Sequence, residues 1–169
     1  MVKSMARLLK ERGAVQYGDF ILSSGEKSRY YIDIKSAITD ASLLRRIGEE
    51  IAASYTFDVV AGVAVGGIPI AVAAALASGK PYVIIRREAK SHGKPDLIIG
   101  TVAGKDLLLV EDVTTSGGSA LYGAKAIRDA GGKIDSVVTV VDREQGAEET
   151  LLREGIHLHS LVRARDLLE

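Results

Sequence analysis

The sequence predicts an α/β fold: a doubly wound, mostly parallel sheet with a small N-terminal hood. Three observations predict it. From residue 57 onward, short β-branched runs alternate with helical patterns, as in a succession of βα units. Those runs are nearly continuous in Val, Ile and Leu, which suits strands covered on both faces. Before residue 57 the pattern changes to two short strand-like runs around a Ser-Ser-Gly turn.

The elements follow in order. Met5, Leu8 and Leu9 fall on one face of a helix over 2–12. Strand-like runs at 20–22 and 30–34, joined by the Gly turn, predict a flap, and Asp40 or Thr39 is placed to cap a helix running to Ser54. Strands are expected over 57–65, 81–86, 107–113, 134–141 and 156–162. Between them, 68–77, 119–130 and 148–154 have helix-forming composition with Gly near their ends, and 163–169 reads as a terminal helix.

With 169 residues the chain is expected to be one domain, 1–169, with residues 1–40 contributing the first helix and the hood. Lys plus Arg and Asp plus Glu are 22 each, so the formal net charge is zero. A protein that holds nucleic acid through its phosphates carries a basic excess, so no nucleic-acid partner is expected, and a bound anion should be small and held locally. Cysteine is absent, which excludes disulfides, thiolate zinc sites and thiol catalysis and fits a reducing cytoplasm. The start is charged and lacks the apolar run of a signal peptide. The 21 uncharged residues 59–79 are long enough for a membrane span, but Gly62, Gly66, Gly67 and Pro69 break them into a strand, a turn and a helix. No membrane partner is expected.

The most informative segment is 107–119. Four aliphatic residues run into Glu111 and Asp112, then into Val113-Thr114-Thr115-Ser116-Gly117-Gly118-Ser119 and a helix. In an open α/β sheet, ligands bind where such a loop leaves the carboxyl end of a strand. Two glycines let the backbone approach closely, the helix start offers free N–H groups, and the hydroxyls add donors, so the loop can wrap a phosphate without lysine. The adjacent carboxylates would repel that phosphate unless they served sugar hydroxyls or a Mg²⁺ held through water. A phosphorylated ribose satisfies both halves. Every Gly-Lys pair lacks the following Ser or Thr of a P-loop, and residues 62–67 do not match the dinucleotide fingerprint. Residues 86–94 (RREAKSHGK) place five potential cations in nine residues after a strand, which is either a solvated loop or a clamp for a polyphosphate.

Taken together, these residues resemble the type I phosphoribosyltransferases, and within them the orotate phosphoribosyltransferase family. VEDVTTSGGS (110–119) resembles the family's motif for 5-phosphoribosyl-1-pyrophosphate (PRPP), and RREAKSHG (86–93) its orotate-type catalytic loop. FILSSGEKSRYYID (20–33) is similar to its hood and VVDREQGA (140–147) to its base-binding segment. The resemblance implies transfer of ribose 5-phosphate from PRPP to orotate, giving orotidine 5′-monophosphate and pyrophosphate, with Mg²⁺ as cofactor. It implies that Glu111 and Asp112 hold the ribose hydroxyls and, through water, the Mg²⁺, with no metal bound by the protein alone. Within the PRPP-binding run Val113 to Ser119, residues Thr114, Thr115, Ser116, Gly117, Gly118 and Ser119 would cradle the 5′-phosphate. Thr115 and Arg143 would bind orotate, Arg143 at its carboxylate. Arg86, Arg87, Lys90 and His92 would reach the pyrophosphate, with Lys90 the main leaving-group cation and His92 and Arg86 assisting. Loop 86–94 would serve the neighbouring subunit of a homodimer.

The chain departs from the family pattern at Gly66 and Ser23, where some or many members carry Lys, and at Arg87, where Lys is common. Lys27 and Lys35 are the candidates to compensate. His157 and His159 alternate along the last strand without an acidic cluster and read as structural, and Tyr30-Tyr31 reads equally as a stacking surface or a half-buried strand pair. Two other readings compete. One is a purine phosphoribosyltransferase, which the 86–93 motif and the hood disfavour. The other is a PRPP-sensing regulator, which would need a DNA-binding element in the roughly 19 residues before the hood, too few for an independent domain.

Overall fold

The structure, a computed structural model, describes residues 3–22, 25–88 and 96–169. Helix α1 (Met5–Glu11) is opened by Ser4, whose hydroxyl accepts from the Arg7 N–H, and it buries Met5 and Leu9 as its spacing predicts. β1 (Val15–Ile21) and β2 (Lys27–Ile32) pair antiparallel as a hairpin separate from the main sheet. The pattern predicts a strand through Ile34, but β2 ends at Ile32. Asp33 accepts from the Ser36 N–H at 3.0 Å and opens a single helical turn, α2 (Ile34–Ala37), instead. Asp40, not Thr39, caps α3 (Ala41–Ser54), accepting from the Leu43 N–H at 2.9 Å.

The remaining chain alternates strand and helix: β3 (Val59–Val63), α4 (Gly67–Ser78), β4 (Tyr82–Ile85), β5 (Ile98–Ile99), β6 (Asp106–Thr114), α5 (Gly118–Asp129), β7 (Lys133–Asp142), α6 (Ala147–Leu152), β8 (His157–Arg163) and α7 (Ala164–Leu168). The main sheet has the order β5-β4-β3-β6-β7-β8. All its pairings are parallel except β4 with β5, a two-residue edge strand too short for any periodicity to announce.

The continuity of the aliphatic runs now has its reason. Along β6, Leu108 and Val110 enter the core beneath α1, α3, α4 and α7, while Leu107 and Leu109 enter the core beneath α5 and α6. With helices on both faces, positions 107–110 at the middle of this strand are all apolar.

The order of strands also locates the crevice. From β3 the chain goes to β4 on one side, and β6 returns to β3's other side before building β7 and β8. Connections therefore leave β3 and β6 in opposite directions, and the carboxyl ends of these two neighbours open a cleft at the topological switch point.

Candidate active site

The turn after β3 and the carboxylates of β6 meet at that cleft. β3 runs into the turn at Gly66 and Gly67, and β6 runs into Glu111 and Asp112, each 4% exposed. Gly66 has φ −65° and ψ −32°, a conformation open to any residue. Its glycine answers to space instead, because a Cβ there would run into the Asp112 carboxylate. On the other side of that carboxylate lies Lys35, with Nζ 2.6 Å from Asp112 Oδ2.

Glu111 is reached by a different cation through a relay. The Arg87 guanidinium donates to the Ala64 carbonyl at 3.0 Å and to Ser119 Oγ at 3.1 Å, and Ser119 Oγ donates to Glu111 Oε1 at 3.1 Å. Burial first, then the neighbouring charge of Asp112, push the Glu111 carboxyl up to about 7, while Ser119, Arg87 and Lys35 pull it down.

Beyond the carboxylates the chain turns through Thr115 and Ser116 into α5. Gly117 sits at φ 86°, the left-handed region that favours glycine, and a Cβ there would lie 3.1 Å from the Ala147 backbone. No side chain caps α5, so its first N–H groups and the exposed Thr115 and Ser116 present donors to the cleft. The Tyr122 hydroxyl, one turn into α5, lies 2.8 and 2.9 Å from the carbonyl oxygens of Arg86 and Arg87, fastening the start of the basic segment to the same helix.

The segment after β7 is tied to this loop. Arg143 N–H donates to the Thr114 carbonyl at 2.9 Å, and buried Asp142 accepts from Thr114 Oγ1 at 3.0 Å and from the Glu144 N–H at 3.2 Å. Glu144 has φ 57°, and its carboxylate pairs with Arg165 of α7. Arg143 thereby lines a cavity of about 750 Å³ with Thr115, Gln145, Tyr31, Ile32 and Lys35. One wall is the hairpin, one the carboxyl end of β6, and one the segment after β7.

The chain matches the family model described as phosphoribosyl transferase domain over residues 34–152. It is 58% identical to the orotate phosphoribosyltransferase of Methanoculleus marisnigri, over 100% of this chain and 99% of that protein. The chain belongs to the orotate phosphoribosyltransferase family. Its architecture agrees with that of solved family members. The orotate phosphoribosyltransferase of Aeropyrum pernix superposes with a TM-score of 0.84 at 34% identity, covering 97% of this chain and 96% of that one. The Mycobacterium tuberculosis enzyme, in complex with PRPP, gives 0.79 at 34% identity, covering 98% and 99%.

Within this phosphoribosyltransferase, the sequence-predicted residues Glu111, Asp112, Thr115, Ser119, Arg87 and Arg143 converge on one cleft, with Arg86 at its rim. Lys90 and His92 lie outside the described residues, as does Ser23. Of the two candidates for compensation, Lys35 is in the cleft, whereas Lys27 lines a separate hollow with Asp19, Phe20 and Arg29. Tyr31 lines the cavity and stacks at 5.7 Å on Phe20, while Tyr30 is half-buried against the core. His159 packs its ring 5.3 Å from Tyr55, and no cluster of three metal-ligating side chains occurs among the described residues. Sequence reading missed Asp142 and Tyr122. Asp142 carried a signal, a carboxylate ending an aliphatic strand as Glu111 and Asp112 do; Tyr122 carried none.

Proposed function

We propose that the chain transfers ribose 5-phosphate from PRPP to orotate, giving orotidine 5′-monophosphate and pyrophosphate in pyrimidine (UMP) biosynthesis. The observation that carries this reading is the continuity of the site. The uncapped start of α5 and its hydroxyl loop pass through Thr115 directly into the cavity that Arg143 lines. That line offers N–H and hydroxyl donors to a phosphate, carboxylates to ribose hydroxyls and a guanidinium to an anionic base.

In this reading, residues 114–119 hold the 5′-phosphate, and Glu111 and Asp112 accept from the ribose hydroxyls. Arg143 pairs with the orotate carboxylate, a forked donor meeting a planar anion, and Thr115 hydrogen-bonds the base. Breaking the bond at the anomeric carbon leaves positive character on the ribose and negative charge on the departing pyrophosphate. No protein nucleophile is required, so the residues act by positioning and electrostatics. Arg86, Arg87, Lys90 and His92 would neutralise the leaving group, Lys90 as its main cation. Arg87 is already turned toward the cleft, on Ser119.

The donor set fits Mg²⁺. Glu111, Asp112 and the loop hydroxyls are hard oxygen ligands, and the two carboxylates would reach through water an ion held mainly by substrate oxygens. Bound there, Mg²⁺ would lower the cost of the charge on the pyrophosphate.

We read the active form as a cytoplasmic homodimer in which loop 86–94 serves the neighbouring site. Support comes from α4, whose sequence GIPIAVAAALAS is apolar on all sides and leaves Leu76 81% exposed. A helix of that composition is normally covered. No helix among the described residues is long and apolar enough to cross a membrane.

The test is loss of orotate absorbance in the near ultraviolet with PRPP and Mg²⁺, beside parallel assays with adenine, hypoxanthine and uracil. Turnover with orotate alone is expected. Turnover with a purine instead would overturn the base assignment, and tight PRPP binding without turnover on any base would favour a regulator.

A further inference from the structure

Lys35 stands on a pinned piece of backbone. Ile34 and Ala37 anchor α2 in the core, and Asp33 accepts from the Ser36 N–H at 3.0 Å and the Ser36 hydroxyl at 2.7 Å. From that fixed origin the side chain, 63% exposed, reaches across the cleft to Asp112, whose side chain is 6% exposed. Among the described residues this is the ion pair that Asp112 makes, since the turn on its other side contributes only the bare backbone of Gly66.

As a purely structural pair it would be an odd choice. An exposed lysine gains little from one ion pair, and it would compete with any sugar hydroxyl for the same carboxylate. The hydrogen-bonding capacities remove the conflict. An ammonium has three N–H donors and a carboxylate about four acceptor positions, so one shared bond leaves both groups able to bind ligand. Lys35 also lines the cavity that contains Thr115 and Arg143. Its ammonium thus lies at the seam between the carboxylate assigned to the ribose and the cavity assigned to the base.

We propose that Lys35 is a substrate-contacting residue: anchored on Asp112, it donates its remaining N–H bonds to the oxygens of the anionic pyrimidine, so that one ion pair spans ribose and base. The inference rests on the reaction proposed above. It accounts for a chain that works with Gly at 66 and Ser at 23.

The experiment compares wild type with Lys35→Met, which keeps the stem and removes the charge, and Lys35→Arg, which restores charge. Steady-state constants for orotate are measured beside PRPP affinity by calorimetry without orotate. Losing a charged hydrogen bond should lower kcat/KM for orotate about 10- to 100-fold in Lys35→Met, while PRPP affinity moves less than about threefold. Lys35→Arg should recover most of the loss. The idea fails if kcat/KM for orotate in Lys35→Met stays within about twofold of wild type. It also fails if the loss falls on PRPP affinity alone, which would make Lys35 only a holder of Asp112. Wild-type turnover of orotate in the same assays keeps the reaction standing in either case, and a wild type inert toward orotate sinks both.

Discussion

Glu111 is where burial and chemistry pull against each other. An ionised carboxylate is useful to a sugar or a cation, yet it is 4% exposed beside a second carboxylate. Burial and Asp112 raise its pKa from 4.5 to about 7. The native state therefore holds a proton that the unfolded chain has released between those two values, and stability falls as pH rises through that window. In the ligand-free protein, the denaturation midpoint of wild type should drop from about pH 4.5 to about pH 7 more than that of Glu111→Gln. The Gln variant keeps the shape and the Ser119 contact without the charge, so it should be the more stable protein at the upper end. Parallel pH profiles for the two would show that Glu111 carries no such cost. The same logic explains the cations around the pair. Lys35 and Arg87 lie far from Glu111 and Asp112 in sequence, and each offsets a charge that the strand end buries.

At the level of elements, the site is a junction between the loop leaving β6 and the segment leaving β7. These parallel neighbours end side by side, with Thr114 opposite Asp142 in the ladder, and Asp142 converts that register into a cross-link. Its carboxylate accepts from Thr114 and from the Glu144 N–H, while Arg165 of α7 holds Glu144 from outside. Asp142→Ala leaves a buried hydroxyl and a backbone N–H without their acceptor, which should cost about 1–3 kcal/mol in chemical denaturation. Because both loops lose their common tie, KM should rise for PRPP and for orotate together. A rise for one substrate alone would mean that the loops are positioned independently. The β1–β2 hairpin contributes differently: it packs little of its own, exposing Tyr17 and Ile21, and acts as a wall bearing Tyr31.

At the level of the whole molecule, strand order puts the β3 turn and the β6 carboxylates next to each other, and the fully apolar α4 directs attention to a second copy. If loop 86–94 serves the neighbouring site, two inactive variants should rescue one another. Lys90→Ala damages the loop and Asp112→Asn the pocket, so a mixed dimer contains one site with an intact pocket and an intact loop. Activity on mixing that neither variant has alone is expected, and its absence under exchange conditions verified by mass would place loop and pocket in the same subunit. Leu76→Glu should shift the sedimenting species to monomer and abolish that rescue.

The fold class and five of the six sheet strands were legible in the chain, and so was the loop proposed for the phosphate, because each rests on local rules. Aliphatic continuity marks a strand with two covered faces, and carboxylates followed by hydroxyls and glycines mark a strand end built for a phosphorylated sugar. Naming the base drew on resemblance, since nothing in local pattern distinguishes one planar anion from another. What stayed hidden was short or distant. β5 has two residues, α2 a single turn, and both exist through their neighbours. In sequence Lys35 is one of two lysines that could compensate for Gly66 and Ser23, and the choice between them is made only when α2 is laid beside the end of β6, 77 residues later. The alternation of apolar and turn residues determined which elements form and which strand end carries the loop proposed for a phosphate; the tertiary structure alone decided which charges meet there, because an ion pair depends on separation in space and leaves no periodicity along the chain.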